Sequence, residues 1–158
     1  MKGKSIQDWI YVALQLVFFI LYILDFSFLE WEVSTDFKIL FQLISAMGLF
    51  WIILAILSMN TLVSPFPSPK KGMQLQTKGV YAFSRHPIYS GILILFFAWG
   101  IAHASTYKLC VAIGFSIFIY FKAKYEEKLL LQKFSAYQDY KSKTGMFFPK
   151  LSNFSKKN

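Results

Sequence analysis

Two clusters in this sequence combine charged and ring side chains at spacings that chemistry can use. The first lies in GVYAFSRHPIYSG, residues 79–91, where Arg85, the only arginine, meets His86 and Pro87 between Tyr81 and Tyr89. Proline suits the first position of a helix, where its missing N–H costs nothing. Placed there, Pro87 opens a helix whose N-terminus lies beside His86, with Arg85 just outside. Such an end exposes unpaired N–H groups and carries partial positive charge. With a guanidinium and an imidazole added, the cluster suits an anion such as a carboxylate or a phosphate. Gly91, one turn on, leaves room for something to approach the backbone closely. The alternative is that Arg85 snorkels to lipid headgroups within an interfacial belt of tyrosines.

The second cluster is YEEK, residues 125–128. On a helix Glu126 and Glu127 stand about 100° apart, so they cannot both face one partner. Either Lys122, Lys124 and Lys128 balance them on a solvated helix end, or one carboxylate receives a cation or a hydroxyl-rich ligand. If the two clusters meet, the site has a positive and a negative pole, which suits a zwitterion.

The elements that must position these residues are apolar. The 158-residue chain is 56% hydrophobic and 20% aromatic, with only 16% charged residues and a mean hydropathy of +0.45. Soluble domains run at about 25% charged, so the composition is that of a membrane protein. Four apolar runs stand out: Trp9–Leu29, Phe37–Val63, Ile88–Ala104 and Tyr107–Phe121. The first, at roughly 31 Å as helix, matches a hydrocarbon core of about 30 Å, and the last two are short for spans. Met1–Lys4 resembles the basic start of a signal peptide, but no small-residue cleavage site follows, so the first run is read as a retained span.

Charge placement gives the topology. With the N-terminus cytoplasmic, the inside segments 1–8, 64–87 and 122–158 hold every basic residue except Lys38 and Lys108 out of 17, as the positive-inside rule requires. The +9 net charge is then mostly topology and gives nucleic-acid binding no support. A single cysteine, Cys110, leaves no disulfide framework, and two histidines without paired ligand spacing argue against a metal site.

Between the spans, SPFPSPKKG (residues 64–72) reads as a stiff, extended exit from the second helix, and Gly79 as a turn residue. After Phe121 the pattern becomes amphipathic. Leu130, Phe134 and Tyr137 share one helical face, with Gly145 and Pro149 as terminators. The expectation is an all-α integral membrane protein of about four transmembrane helices with an amphipathic cytoplasmic helical extension and both termini cytoplasmic. It forms one domain, 1–158: two N-terminal spans (1–63), a core carrying the chemistry (64–149) and a basic tail (150–158). The short turn His103–Thr106 makes the last two spans antiparallel neighbours, which brings the two clusters together.

The pattern LxTxGVYxxxRHPxYxG (Leu75–Gly91), followed by EExxLxxxFxxYxxY (Glu126–Tyr140) and a late Pro149, resembles the isoprenylcysteine carboxyl methyltransferase family. It is similar also to the wider group of membrane phospholipid methyltransferases. The resemblance covers roughly residues 65–149, and Ser135 departs from it where the family usually has glycine. It implies S-adenosylmethionine as cofactor, with Leu75, Gln76, Tyr81, His86, Pro87, Ile88 and Tyr89 around it and Glu126 holding it from the other helix. Arg85 and His86 become the catalytic candidates, and Glu127 and Gly91 take secondary places. Lys122 stands where the eukaryotic carboxyl methyltransferases have a substrate-contacting arginine, which makes it the substrate-side residue. The implied partners are the bilayer and a lipid-like or prenylated small acceptor, with no metal and no nucleic acid. Methyl transfer from a sulfonium needs no protein nucleophile, in keeping with a chain that offers none. Two other classes compete: a nicotinamide-dependent membrane reductase on a similar scaffold, and a small non-catalytic membrane protein.

Overall fold

The computed structural model describes residues 4–24, 26, 30–59, 64–69 and 72–150. The expected span ends at Leu29 and Val63, the lysines Lys70 and Lys71, and nearly all of the basic tail lie outside the described residues. Five α-helices follow in order: α1 Ile6–Ile23, α2 Thr35–Leu57, α3 Pro87–Ala102, α4 Thr106–Lys133 and α5 Tyr137–Lys143. A 3-10 turn at Gly79–Ala82 precedes α3, entered through Gly79 at a φ of +63°, which glycine adopts without steric cost. No named strand occurs among the described residues. The molecule is an all-α membrane protein. Helices α1, α2 and α4 are each long and apolar enough to cross a bilayer, and α3 is a shorter apolar helix.

Local chemistry sets several of these boundaries. Ser5 caps α1 through a reciprocal pair, its Oγ accepting from Asp8 N–H at 3.2 Å while Asp8 Oδ2 accepts from Ser5 N–H at 3.1 Å. Pro87 opens α3 directly after His86 as the N-cap. Ser105 caps α4 by accepting from Lys108 N–H at 3.2 Å. The 28 residues of α4 extend about 42 Å, some 12 Å beyond a hydrocarbon core, so one unbroken helix carries Glu126 and Glu127 at its far end. The amphipathic stretch is not a single helix to Gly145. It stops at Lys133, Phe134 turns extended at φ −123°, ψ 114°, and α5 restarts three residues later. Leu130 and Tyr137 nevertheless pack in one cluster, because the chain folds back at this break.

Packing places α4 between α1 and α3, with α2 on the other side of α3. The α1–α4 contact is aromatic, Phe18 meeting the Phe115 and Phe118 rings at 5.7 and 5.4 Å, and from α1 Tyr22 also stacks on Phe96 of α3 at 3.7 Å. The α2–α3 contact is made by small residues, as lipid-embedded helices favour. A Cβ on Gly91 would lie 2.5 Å from Ile52 Cγ1 and 2.9 Å from Gly48 O. Gly91 therefore does admit a close backbone approach, but from α2. It is a packing residue and lies outside the cavity described next.

Candidate active site

The N-terminal mouth of α3 is built by a segment far away in sequence. Residues 144–147 run back past it: Arg85 N–H donates to Gly145 O at 2.9 Å and His86 N–H to Met146 O at 3.0 Å. Ser84 Oγ donates to Met146 O at 2.9 Å. These bonds fix the backbone of the Arg-His-Pro sequence and leave the α3 N-terminus without a side-chain cap of its own.

Arg85 does not snorkel. Its side chain is 6% exposed, and Nε donates to Glu127 Oε1 at 2.7 Å. Its Nη1 reaches the Lys141 carbonyl at 3.3 Å and also donates to the Thr144 carbonyl. Lys141 Nζ lies 2.8 Å from Glu127 Oε2. One buried carboxylate thus joins two cations and ties α4, α5 and the α3 entry together. Planar, multidirectional donation of this kind is what a guanidinium provides and an ammonium does not.

Glu127 is accordingly neither turned away nor solvated; it is 1% exposed and acts inside the wall. Glu126, 23% exposed along its side chain, is the carboxylate that lines the cavity. Its Oε2 accepts from Tyr89 O–H at 3.0 Å. The His86 ring sits between the two acids, with Nδ1 3.8 Å from Glu126 Oε2 and Nε2 3.5 Å from Glu127 Oε1. It lies parallel to the Tyr89 ring, 5.4 Å between centroids.

The cavity enclosed by these groups has a volume of about 260 Å³, close to the lower end of small-molecule sites at roughly 300 Å³. Arg85, His86, Pro87, Ile88 and Tyr89 enter it from the α3 mouth, Lys122 and Glu126 from α4, and Leu75, Gln76 and Tyr81 from the preceding loop. Gln76 is held by its own contact, Nε2 donating to Ser58 O at 2.6 Å. Of the candidates read from sequence, Glu127 and Gly91 alone do not line it. Burial, with the Glu126 charge second, pushes the Tyr81 phenol well above its ordinary value, so it is protonated at neutral pH.

Further wall residues had no role in the sequence reading: Gln15 from α1, Ser64 and Pro65 from the proline-rich loop, and Tyr137 and Tyr140 from α5. The two tyrosines belong to the second pattern quoted above, spaced three apart on one helical face. Gln15 carries a weaker signal, a polar residue in the middle of an apolar span. The proline-rich loop is tied to α1, since Ser68 Oγ donates to the buried Asp8 Oδ2 at 2.6 Å. Lys122 crosses between the same elements. It donates to the Gln15 amide oxygen and, at 2.9 Å, to Pro65 O, with its ammonium 5.4 Å from the Tyr89 ring centre. All three partners are neutral, although the residue is only 1% exposed.

A cavity with a cationic corner, a carboxylate and aromatic walls at the mouth of a membrane helix hairpin has the chemistry to suit a polar small molecule. Comparison with known families agrees: residues 37–137 match the phospholipid methyltransferase family, and the chain belongs to that family. It is also similar to the nickel-cobalt-cadmium resistance protein NccN of Alcaligenes xylosoxydans xylosoxydans, with 31% identity over 88 residues. That match covers 55% of this chain and 41% of NccN, so the chain spans less than half the length of this relative. Among the described residues no group of three or more His, Cys, Asp or Glu side chains is placed to hold a metal ion.

Proposed function

We propose that this protein is an S-adenosylmethionine-dependent methyltransferase of the membrane, acting on a lipid-like acceptor that bears an acidic group. The observation that supports it best is the two-signed cavity. Arg85, His86 and the uncapped α3 N-terminus lie at one wall, and Glu126, hydrogen-bonded to Tyr89, lies at another. The methionyl end of the cofactor carries a carboxylate and an ammonium, and its ribose offers hydroxyls. The residues present fit this set: donors and positive potential for the carboxylate, Glu126 for the ammonium or ribose, and the Tyr81 and Tyr89 faces for the adenine or the sulfonium. When bound, the cofactor supplies a methyl group on a cationic sulfur, transferred by in-line displacement. The protein's part is to position the two partners and keep water out.

Lys122 supports the acceptor class. An ammonium whose hydrogen bonds go to neutral oxygens, with the Glu126 charge one helical turn away, is only partly compensated, and an acidic head entering from the α1 side would complete it. A catalytic base is unnecessary for a carboxylate or phosphate acceptor. The reductase reading loses ground for a structural reason. A diphosphate would need several free donors, and Arg85 already spends Nε and Nη1 on Glu127 and two carbonyls, which leaves it mainly positive potential to offer a single carboxylate.

Equilibrium binding to the full chain in detergent tests this reading. S-adenosylmethionine and S-adenosylhomocysteine should bind and compete for one site, and reduced nicotinamide nucleotides should not displace them. Binding of the nicotinamide nucleotides alone would overturn the proposal.

A further inference from the structure

Four tyrosines line the cavity: Tyr81, Tyr89, Tyr137 and Tyr140. Two have their hydroxyls committed. Tyr89 donates to Glu126 at 3.0 Å, and Tyr140 donates to the Tyr81 carbonyl at 2.6 Å. Tyr137 differs. The residue is 1% exposed, yet its hydroxyl has no hydrogen-bond partner in the protein. Such groups are rare in folded proteins, because a buried hydroxyl without a partner forfeits its hydration for nothing. Tyr137 begins α5, its ring packs edge-on to Tyr140 at 5.9 Å, and Leu130, Met73 and Leu75 pack in the same cluster. Desolvation, with the Glu127 charge second, holds the phenol well above its ordinary pKa, so the hydroxyl keeps its proton and remains a donor.

The surrounding charge says what this donor is for. Arg85 and Lys141 share the carboxylate of Glu127, so two cations meet at that corner. The α3 N-terminus adds partial positive charge to the same wall. Glu126 is committed instead to Tyr89. We infer that the Tyr137 hydroxyl donates to the ligand's carboxylate, making α5 a third support for the anionic end of the cofactor beside Arg85 and the α3 N-terminus. The inference rests on the cofactor proposed above. It gives α5 a direct part in ligand binding, in addition to the contacts of Lys141 with Arg85 and Glu127.

Tyr137→Phe removes the hydroxyl and keeps the ring. Binding of S-adenosylhomocysteine, which retains the carboxylate, is compared with binding of 5′-methylthioadenosine, which keeps the nucleoside and sulfur but lacks the amino-acid end. The variant should bind S-adenosylhomocysteine about tenfold more weakly, the scale of a lost hydrogen bond to a charged group. Affinity for 5′-methylthioadenosine should change by less than about twofold, because the bond in question is absent. Melting of the ligand-free variant should match or exceed that of the wild type. Equal losses for the two ligands, an unchanged S-adenosylhomocysteine affinity, or a lower ligand-free melting temperature would each overturn the inference. The last result would mean that the hydroxyl serves the fold. A wild type that binds neither ligand sinks the cofactor reading and this inference with it. A wild type that binds while Tyr137→Phe binds equally well sinks this inference alone.

Discussion

The α3–α4 helix pair buries a cation at each end, and the two ends treat it in opposite ways. At the connecting turn Lys108, 5% exposed, donates to the Tyr22 carbonyl at 3.3 Å and lies 5.5 Å from the Tyr22 ring centre. Neighbouring contacts close the turn over the aromatic core. Tyr22 donates to Phe96 O at 2.5 Å, and the His103 ring stacks on Trp99 at 4.2 Å. At the other end Arg85 is held by a carboxylate and two carbonyls drawn from α4, α5 and the segment after it. Around it lie His86 Nε2, 3.5 Å from Glu127 Oε1, and the buried Tyr137 O–H, which has no hydrogen-bond partner in the protein. The difference separates a cation that finishes a fold from one that prepares a site. The first lies against the Tyr22 carbonyl and ring at the connecting turn, and the second is locked in place beside the cavity, where the Tyr137 hydroxyl has no hydrogen-bond partner in the protein.

The strongest way to break this comparison is to remove the lock. Glu127→Ala leaves Arg85 and Lys141 without their shared carboxylate, and stripping one partner from a buried ion pair costs about 3–5 kcal/mol. The expected outcome is a large fall in melting temperature in detergent together with loss of cofactor binding. A variant that melts like the wild type would show that the cluster is not what holds the mouth of α3.

Glu126→Gln sharpens the contrast between adjacent acids. It should weaken S-adenosylmethionine binding by about tenfold or more, equivalent to about 1.5–3 kcal/mol for a charge-assisted bond. Melting should fall less than for Glu127→Ala, because this side chain faces the cavity and an amide oxygen can still accept the Tyr89 hydrogen bond. Calorimetric titration beside thermal melting reads both quantities. A larger stability loss for Glu126→Gln than for Glu127→Ala would reverse the assignment of the two carboxylates.

The smallest effect on activity is expected at the far end. Lys108→Met replaces a buried cation at the turn by an apolar chain of similar length and should lower the melting temperature, since the groups that contact Lys108 lose their partner. The two ends of α3 are about 24 Å apart, so methyl-transfer kcat/KM should stay within about twofold. A tenfold loss there would couple the two ends and blur the distinction drawn between them.

Much of the site was legible because short-range rules govern it. Proline at the first turn placed the α3 N-terminus beside Arg85 and His86, and one glycine-led turn carries Tyr81 toward them. The close approach at Gly91 was legible too, but its partner was not, since a missing side chain does not say whether a ligand or a helix fills the gap. The break at Phe134 was hidden for a similar reason: Leu130, Phe134 and Tyr137 keep helical spacing across a chain reversal, and periodicity alone cannot detect the turn.

What the sequence determined by itself was the apolar, helical, membrane-embedded class of the chain, the start of α3, and the set of polar residues concentrated at one end of the helix hairpin. These follow from composition, periodicity and capping, which act over a few residues. The tertiary structure alone decided which of two adjacent carboxylates faces the cavity and which is walled in. Helical geometry sets the angle between Glu126 and Glu127 but not how that pair is rotated relative to α3 and α5. It also decided that residues 144–147 return to hold Arg85 and His86, that Gln15 and Pro65 meet Lys122, and that Tyr137 ends with its hydroxyl unused. Those contacts join residues about 50 to 100 positions apart, where packing and the satisfaction of buried polar groups govern and no local pattern records the outcome.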